Sequence, residues 1–410
     1  MSQPQPRQVG RTDQPTNSSA ALHSARVATA FTFSFNGFLY GAWVPHIPEV
    51  KRALDLSDAA LGLALLGPAI GSLLSMPLIG RATNRWGTGR VTTVMAFLAY
   101  LVIPGPGIAF NLPTLFIALL LWGLATGGLD VAMNAQAVQV EKSYRRPIMS
   151  SFHAWWSVGT VLGTGVGSLG AGLGVSLVTQ QSILAVIFAI VTLWSSRRFL
   201  PDLAHDEYGE GGRVIEFRLI LLGVAGICAL LAEGSSADWS PVYLRDDLGV
   251  SPGHAGIAFI AFTAMMTTGR MIGDRIVLHL GRTRSLSVVA VFGAIGLSIG
   301  LISDTLAGAT IGFACLGAGL SVMVPVFFST AADGPGAAGP KLAVVSSLSY
   351  LGFLLGPAAL GPLANASSVH SALWILPAFT ALAGLLGVIA VRLTGRLISQ
   401  PARRELGAEG

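Results

Sequence analysis

The sequence predicts an all-α, polytopic membrane protein whose twelve transmembrane helices form two pseudo-symmetric bundles of six. Three observations predict this fold: the scarcity of charge, the length of the apolar runs, and a repeat that relates the two halves of the chain. Of the 410 residues, 52% are hydrophobic and 11% are charged, whereas a soluble domain carries about 25% charged residues. This composition excludes a cytosolic enzyme, and the 51 glycines and 21 prolines suit membrane helices, which tolerate both.

Twelve apolar runs are long enough to span a membrane, since a bilayer core about 30 Å thick needs about 20 apolar residues per helix. They cover residues 26–47, 59–80, 90–111, 114–140, 149–174, 177–196, 216–240, 253–275, 284–303, 306–331, 342–364 and 370–393. Ser57 precedes the second run and Ser251 the eighth, and both are predicted to cap their helices. Residues 1–23 are rich in Gln, Pro and Ser and are expected to form a disordered cytoplasmic N-terminus.

The positions of Lys and Arg predict the orientation, because cytoplasmic loops carry an excess of both. With the N-terminus inside, all but three of the 25 Lys and Arg residues fall in predicted cytoplasmic segments. The exceptions are Lys51, Arg52 and Arg245. We therefore expect a multi-pass protein of the cytoplasmic membrane with both termini in the cytoplasm.

A repeat divides the chain into two halves. Residues 24–196 are predicted to form the N-terminal bundle, 197–215 a polar cytoplasmic linker, 216–395 the C-terminal bundle and 396–410 a cytoplasmic tail. Trp43 pairs with Trp239, Gly128 with Gly319, Gly159 with Gly352 and Gly163 with Gly356, at offsets between 190 and 196. Two parallel repeats of six spans are an arrangement of transporters that work by alternating access.

The segment from Gly80 to Arg90 contains the most specific motif in the chain. It resembles motif A of the major facilitator superfamily, and the resemblance extends over about residues 24–395. The motif usually has an acidic residue where this chain has Asn84; the acidic form recurs in the second half at Gly273-Asp274-Arg275, with Gly281 displaced by four residues. The stretch from Asp130 to His153 resembles a bacterial subgroup of inner-membrane transporters. This resemblance does not indicate which substrate is transported.

The motifs of the superfamily's proton/drug antiporters are incomplete. The fourth span has no arginine near Trp122, where motif B carries one, and the fifth span lacks the proline of motif C. Efflux is therefore only slightly favoured over uptake.

Two carboxyl groups lie well inside apolar runs, those of Asp130 and Glu233. A charge near the bilayer centre costs at least about 2.5–3.5 kcal/mol, so such residues usually face a watery cavity or a partner. Both are predicted to couple transport to protons. The alternative is a static, hydrogen-bonded acid that fastens two helices.

Polar and aromatic residues share helix faces with these acids. The resemblance implies that spans one, four, seven and ten line a central cavity, and that these faces converge there. The alternative for the aromatic residues is plain packing or an interfacial belt. The predicted substrate-binding residues are Asn36, Tyr40, Trp43, Asp130, Asn134, Glu233, Ser236 and Ser321.

A set of glycines and charged residues is predicted at the cytoplasmic ends of spans, where it would gate the inner side. Positive-inside anchoring alone would also explain the arginines, but not the acid at 274. The predicted gating residues are Gly80, Asn84, Arg85, Gly87, Arg90, Arg270, Gly273, Asp274 and Arg275.

The sequence thus predicts a secondary transporter that moves a small organic solute by alternating access and is driven by protons. The alternatives are a membrane receptor or scaffold on the same fold and a facilitative uniporter. We expect no enzymatic activity, cofactor, metal or nucleic-acid partner, and we expect a monomer in the lipid bilayer. A cation, a polyol or a neutral solute is favoured over an anion, since no Arg or Lys is expected in the middle of a span.

Overall fold

The computed structural model describes residues 19–144, 148–200, 216–333 and 338–406, and every regular element in them is helical. The long helices are α1 Ser19–Trp43, α2 Asp58–Trp86, α3 Thr88–Val102, α4 Leu112–Tyr144, α5 Met149–Gly172, α6 Leu177–Ser195, α7 Phe217–Asp246, α8 Ile257–Ser303, α9 Leu306–Leu320, α10 Met323–Ala332, α11 Ala338–Ala366 and α12 Ile375–Leu406. Short helices cover Ile47–Ala53, Gly105–Ile108 and Val369–Leu373. Single 3-10 turns lie at Val44–His46, Ser196–Arg198 and Pro252–His254.

Nine helical segments of the described chain are long and apolar enough to cross a membrane. One of them, Pro252–Ser303, contains both the eighth and the ninth predicted spans, and α1 and α5 are not among the nine. Large apolar side chains point outward, such as Leu101 (75% exposed) and Leu278 (82% exposed). Because exposed apolar patches of this extent mark contact with lipid or a partner, the helices form a multi-pass membrane protein. The count of twelve spans stays a prediction.

Several helix ends differ from the prediction. α1 begins at Ser19, inside the segment expected to be disordered, and α12 continues to Leu406, into the expected tail. Ser57 caps α2 as predicted, its side chain accepting from the Ala60 amide. Ser251 does not cap α8, because the intervening 3-10 turn takes up the start of the predicted span. The predicted tail and linker residues 1–18, 201–215 and 407–410 lie outside the described residues.

A glycine with a positive φ separates the second span from the third in each half. Gly87 (φ 94°, ψ 144°) ends α2, and Gly281 (φ 74°, ψ 157°) breaks α8 into its two predicted spans. Such angles are essentially confined to glycine. The two are 194 residues apart, which agrees with the repeat. The four extra residues between Asp274 and the break add about one helical turn.

The two halves repeat the same packing. In the first, α1 packs on α5 and α2 on α4; in the second, α7 packs on α11 and α8 on α9. The paired glycines lie at these contacts. A Cβ added at Gly159 would lie 2.0 Å from the Ser34 carbonyl oxygen, and one at Gly352 would lie 2.4 Å from that of Ile227. Both glycines therefore let two helix backbones touch.

The halves meet mainly at one end of the molecule. There α2 contacts α11, the Pro252–His254 turn contacts α5, and the Ile47–Ala53 helix contacts α7. A Cβ added at Gly62 of α2 would lie 2.7 Å from the Pro357 carbonyl oxygen of α11. This end also carries Lys51 and Arg245, which are predicted to face outside. We call it the outer end.

Candidate functional site

The middle of α7 is enclosed except at three residues. Between Cys228 and Leu244 only Glu233, Gly234 and Asp238 are not buried. α7 packs against α11, α12 and α8, so the accessible strip faces the interior between the halves rather than the surrounding lipid. The accessible strip of α7 therefore consists of Glu233, Gly234 and Asp238.

Glu233 pairs with Arg270 of α8, at 3.5 Å between Oε1 and Nη2. Glu233 lies thirteen residues before the end of α7 and Arg270 thirteen residues after the start of α8, about 20 Å along each helix from the outer end. Arg270 was predicted at the cytoplasmic end of its span, and the premise that no Arg lies in mid-span is wrong. Both corrections follow from the length of α8, which places Arg270 beside Glu233.

Asp238 is a further acid of the site, and the sequence reasoning missed it. The seventh span was predicted to end at residue 240, which would put Asp238 in the last turn. α7 instead continues to Asp246, because the following residues, including Trp239 and Tyr243, are fully buried. The apolar character of those residues is the signal that would have placed Asp238 inside the helix.

Tyr40 lies in a cluster of aromatic rings that joins the two halves. Its ring centroid is 6.1 Å from that of Trp156 and 6.4 Å from that of Trp122 in the first half, and 6.3 Å from that of Phe259 in the second. The predicted residue Tyr40 therefore contacts aromatic rings of both halves.

Asp130 and Asn134 lie one turn apart on α4, as predicted. The Asn134 amide donates to the Asp130 carboxylate at 3.1 Å and to the Asp130 carbonyl oxygen at 2.8 Å. The Asp130 carboxylate therefore has its partner on its own helix, whereas that of Glu233 has its partner on a neighbouring helix.

The other four predicted binding residues are buried or half-buried. Ser236 and Ser321 are buried, and each hydroxyl donates to a carbonyl oxygen nearby on its own chain segment, at 2.7 Å and 2.6 Å. Trp43 is also buried, with its ring 5.9 Å from that of Trp122. Asn36 is half-buried. The accessible face of α7 is thus formed by Glu233 and Asp238, rather than by Glu233 and Ser236.

The predicted gating residues lie away from the outer end. Arg85, Arg90, Asp274 and Arg275 are exposed, and none has an ion pair with a residue that the structure describes. Gly80 has no heavy atom within 4 Å of an added Cβ. Asn84 is exposed, Gly273 is buried, and Gly87 owes its place to the turn that follows α2.

Ion pairs join the halves at the outer end instead. Asp246 of α7 accepts from Lys51 and from Arg52, both at 2.6 Å, and Arg245 lies 3.0 Å from Glu49. Burial alone would lower the pKa of Lys51, but hydrogen bonds to Asp246 and Asp58 outweigh it and raise the pKa above its ordinary 10.5. This network holds the outer end closed.

Comparison with known sequences gives consistent matches along most of the chain. The family model of the Major Facilitator Superfamily matches residues 28–339. An uncharacterized MFS-type transporter of Yersinia pestis is 38% identical over 351 residues, covering 85% of this chain and 91% of the relative. An uncharacterized transporter of Sinorhizobium fredii is 33% identical, covering 87% of this chain and 96% of the relative.

Solved structures show the same fold. A variant of the nucleoside transporter NupG superposes with a TM-score of 0.74 at 14% identity, covering 89% of this chain and 99% of the other. A bacterial homologue of the human lysosomal transporter Spinster, in an inward-facing and occupied conformation, superposes with a TM-score of 0.72 at 13% identity. It covers 94% of this chain and 98% of the other. At these identities the likeness concerns the fold alone.

Proposed function

The chain belongs to the major facilitator superfamily, and on that basis we propose that it moves a small organic solute across the cytoplasmic membrane by alternating access, coupled to protons. One observation carries the coupling: Glu233, in the middle of α7, forms an ion pair with Arg270 of α8 at 3.5 Å. A charged pair at this depth in the helices can respond to protonation when the halves move relative to each other.

The mechanism uses the difference between a charged and a neutral carboxyl group. A buried carboxyl group is less costly when it is protonated, whereas the charged form needs a partner or water. Glu233 has such a partner in Arg270. Protonation of Glu233 would remove its attraction to Arg270, and opening the site to water on the other side would release the proton. Asp130, half-buried beside Asn134, would titrate with it.

The closed outer end supports a conformation that is accessible from the cytoplasm, with both termini on that side. In the opposite conformation the exposed residues Arg85, Asp274 and Arg275 would form the inner gate. Efflux is slightly favoured over uptake, and the protein functions as a monomer.

The test begins with a thermal-shift screen of the purified protein against sugars, nucleosides, amino acids and drugs at two pH values. Proteoliposomes with a pH gradient then report uptake of the stabilising solute. Asp130→Asn should abolish accumulation driven by the gradient while leaving solute exchange partly intact. Asp304→Asn, which removes an exposed acid between α8 and α9, is the matched control. Unchanged driven accumulation in the Asp130 variant would exclude its coupling role.

Two alternatives make different predictions. A facilitative uniporter would equilibrate the solute at the same rate with and without a pH gradient. A receptor or scaffold on this fold would keep its activity when crosslinks lock both ends of the molecule, whereas a transporter would stop.

A further inference from the structure

We propose that a cavity between the start of α1 and the end of α6 binds the phosphate headgroup of an anionic membrane lipid. α6 begins next to the outer end, where Gly172 meets Gly253, and α1 ends there at Trp43. The cavity therefore lies at the opposite end of the molecule, within the first half. The inference goes beyond transport, and in the orientation proposed above the lipid belongs to the cytoplasmic leaflet.

The cavity has a volume of about 210 Å³. Pockets that enclose a drug-sized ligand usually measure about 300–1,000 Å³, so this one suits a small group that is part of a larger molecule. Its lining is polar on one side and apolar on the other. The polar residues include His23, Ser24 and Arg198, and the apolar residues include Val27, Phe31 and Trp194.

The apolar side of the cavity continues into the surface that faces the lipid. Trp194 is 54% exposed, and Ile190, one helical turn before it on α6, is 64% exposed. Tryptophan is enriched where the hydrocarbon core meets water. A ligand at this place can keep an acyl chain against α6 while its headgroup enters the cavity, which a soluble anion cannot do.

Arg198 is held in position for an anion. Its guanidinium carbon lies 3.5 Å from the centroid of the Trp194 ring, and its Nη1 donates to the Trp194 carbonyl oxygen at 2.8 Å. A guanidinium group has five N–H donors, so most of them remain for a ligand. Phosphate accepts two parallel hydrogen bonds from such a group. Because the group is already fixed, binding costs little side-chain freedom.

The charge of the cavity favours an anionic lipid over a zwitterionic one. The described residues that line it include no Asp or Glu. None of the ion pairs in the described part of the chain involves Arg198 or its neighbour Arg197. Basic pockets between membrane helices on the cytoplasmic side bind anionic headgroups. The positive charge of Arg198 is therefore available to a lipid phosphate.

The test measures lipid binding to the full-length protein. Native mass spectrometry in detergent compares dioleoyl phosphatidylglycerol, which is anionic, with dioleoyl phosphatidylcholine, which has the same acyl chains and no net charge. We expect the first phosphatidylglycerol to bind about fivefold more tightly, which is about 1 kcal/mol, the contribution of one basic residue beside an anionic lipid. Equal affinities for the two lipids would overturn the proposal.

Two sets of variants locate the site. Arg198→Gln should weaken phosphatidylglycerol binding about fivefold and leave phosphatidylcholine binding unchanged. The matched control is Arg392→Gln, which removes an exposed arginine of α12 and should change neither. Trp194→Leu should weaken phosphatidylglycerol binding about twofold or more, whereas Trp194→Phe, which keeps a ring, should retain it. Unchanged phosphatidylglycerol affinity in Arg198→Gln or in Trp194→Leu would refute the site.

A competition experiment distinguishes a lipid from a soluble anion. Inorganic phosphate in large excess should leave the bound phosphatidylglycerol in place, because phosphate lacks the acyl chains that contact α6. Displacement of the lipid by inorganic phosphate would show that the cavity recognises a soluble anion and would overturn the assignment to a lipid.

Discussion

Asp246 is the residue whose replacement should most directly open the outer end. It lies at the end of α7 and accepts from both Lys51 and Arg52 of the other half. Asp246→Asn removes both attractions. The side chains are 13–38% exposed, and an ion pair of that kind contributes about 0.2–1 kcal/mol. Losing two therefore costs the closed conformation about 0.4–2 kcal/mol, which multiplies the ratio of open to closed molecules by about 2 to 30.

The surrounding charges place the expected value in the lower part of this range. After the substitution Lys51 keeps its pair with Asp58 at 2.5 Å, and Arg52 keeps its pair with Glu49 at 3.1 Å. Neither cation is left uncompensated, so no further penalty is added. We expect a three- to tenfold change in the ratio of the two conformations.

Spin labels would measure this change. Labels on the exposed positions Ala53 and Ser367, after replacement of Cys228 and Cys315, report the separation of the halves at the outer end. Asp246→Asn should increase the population with a long separation. Asp58→Asn is the matched control, because it removes an equally short pair of Lys51 that lies within the first half. The reasoning fails if the Asp246 variant keeps the original distances, or if the Asp58 variant shifts them equally.

Three further predictions concern stability and pH. Gly281→Ala should lower the free energy of unfolding by about 1–3 kcal/mol, because φ at residue 281 is 74°. The control is Gly165→Ala, which should be neutral or stabilising because an added Cβ there has no neighbouring heavy atom within 4 Å. Thermal melting in detergent measures both. Gly159→Ala should cost about 1–3 kcal/mol or more, since its Cβ would lie 2.0 Å from a backbone oxygen of α1; a melting temperature equal to that of the parent would contradict this. The raised pKa of Lys51 means that its contribution to closure is complete below pH 10.5 and is lost only as the pH rises through the folded-state value. The label distances should therefore stay constant from pH 7 to 10, and opening within that range would contradict the assignment.

The helices could be predicted because their signals are local. Apolar runs about 20 residues long give the spans, and the paired glycines give the repeat before any contact is known. Gly159 and Gly352 make corresponding close contacts between two helices, so the packing at these paired positions is similar.

The site was less predictable because it depends on how helices are aligned with one another. Arg270 reaches Glu233 only because α7 and α8 place both at equal depth, and nothing in either helix alone encodes that match. Asp238 was missed because a boundary error of six residues moved it from the interior of α7 to its end. Ser236 was assigned to the accessible face from helical spacing, but the neighbouring helices cover that side of α7.

At two places on the outer end, the halves touch through glycine backbones alone. Gly62 meets Gly361, and Gly172 meets Gly253, with no side chain between the backbones. Surfaces of this kind make no directional bond, whereas the ion pairs of Asp246 and Arg245 beside them do join the two halves. A methyl group added at Gly62 would clash with the other half, because it would lie 2.7 Å from the Pro357 carbonyl oxygen and 2.8 Å from the Gly361 Cα. Gly62→Ala should therefore favour separation of the halves at the outer end, and the variant would serve for determining the structure of the molecule with that end open.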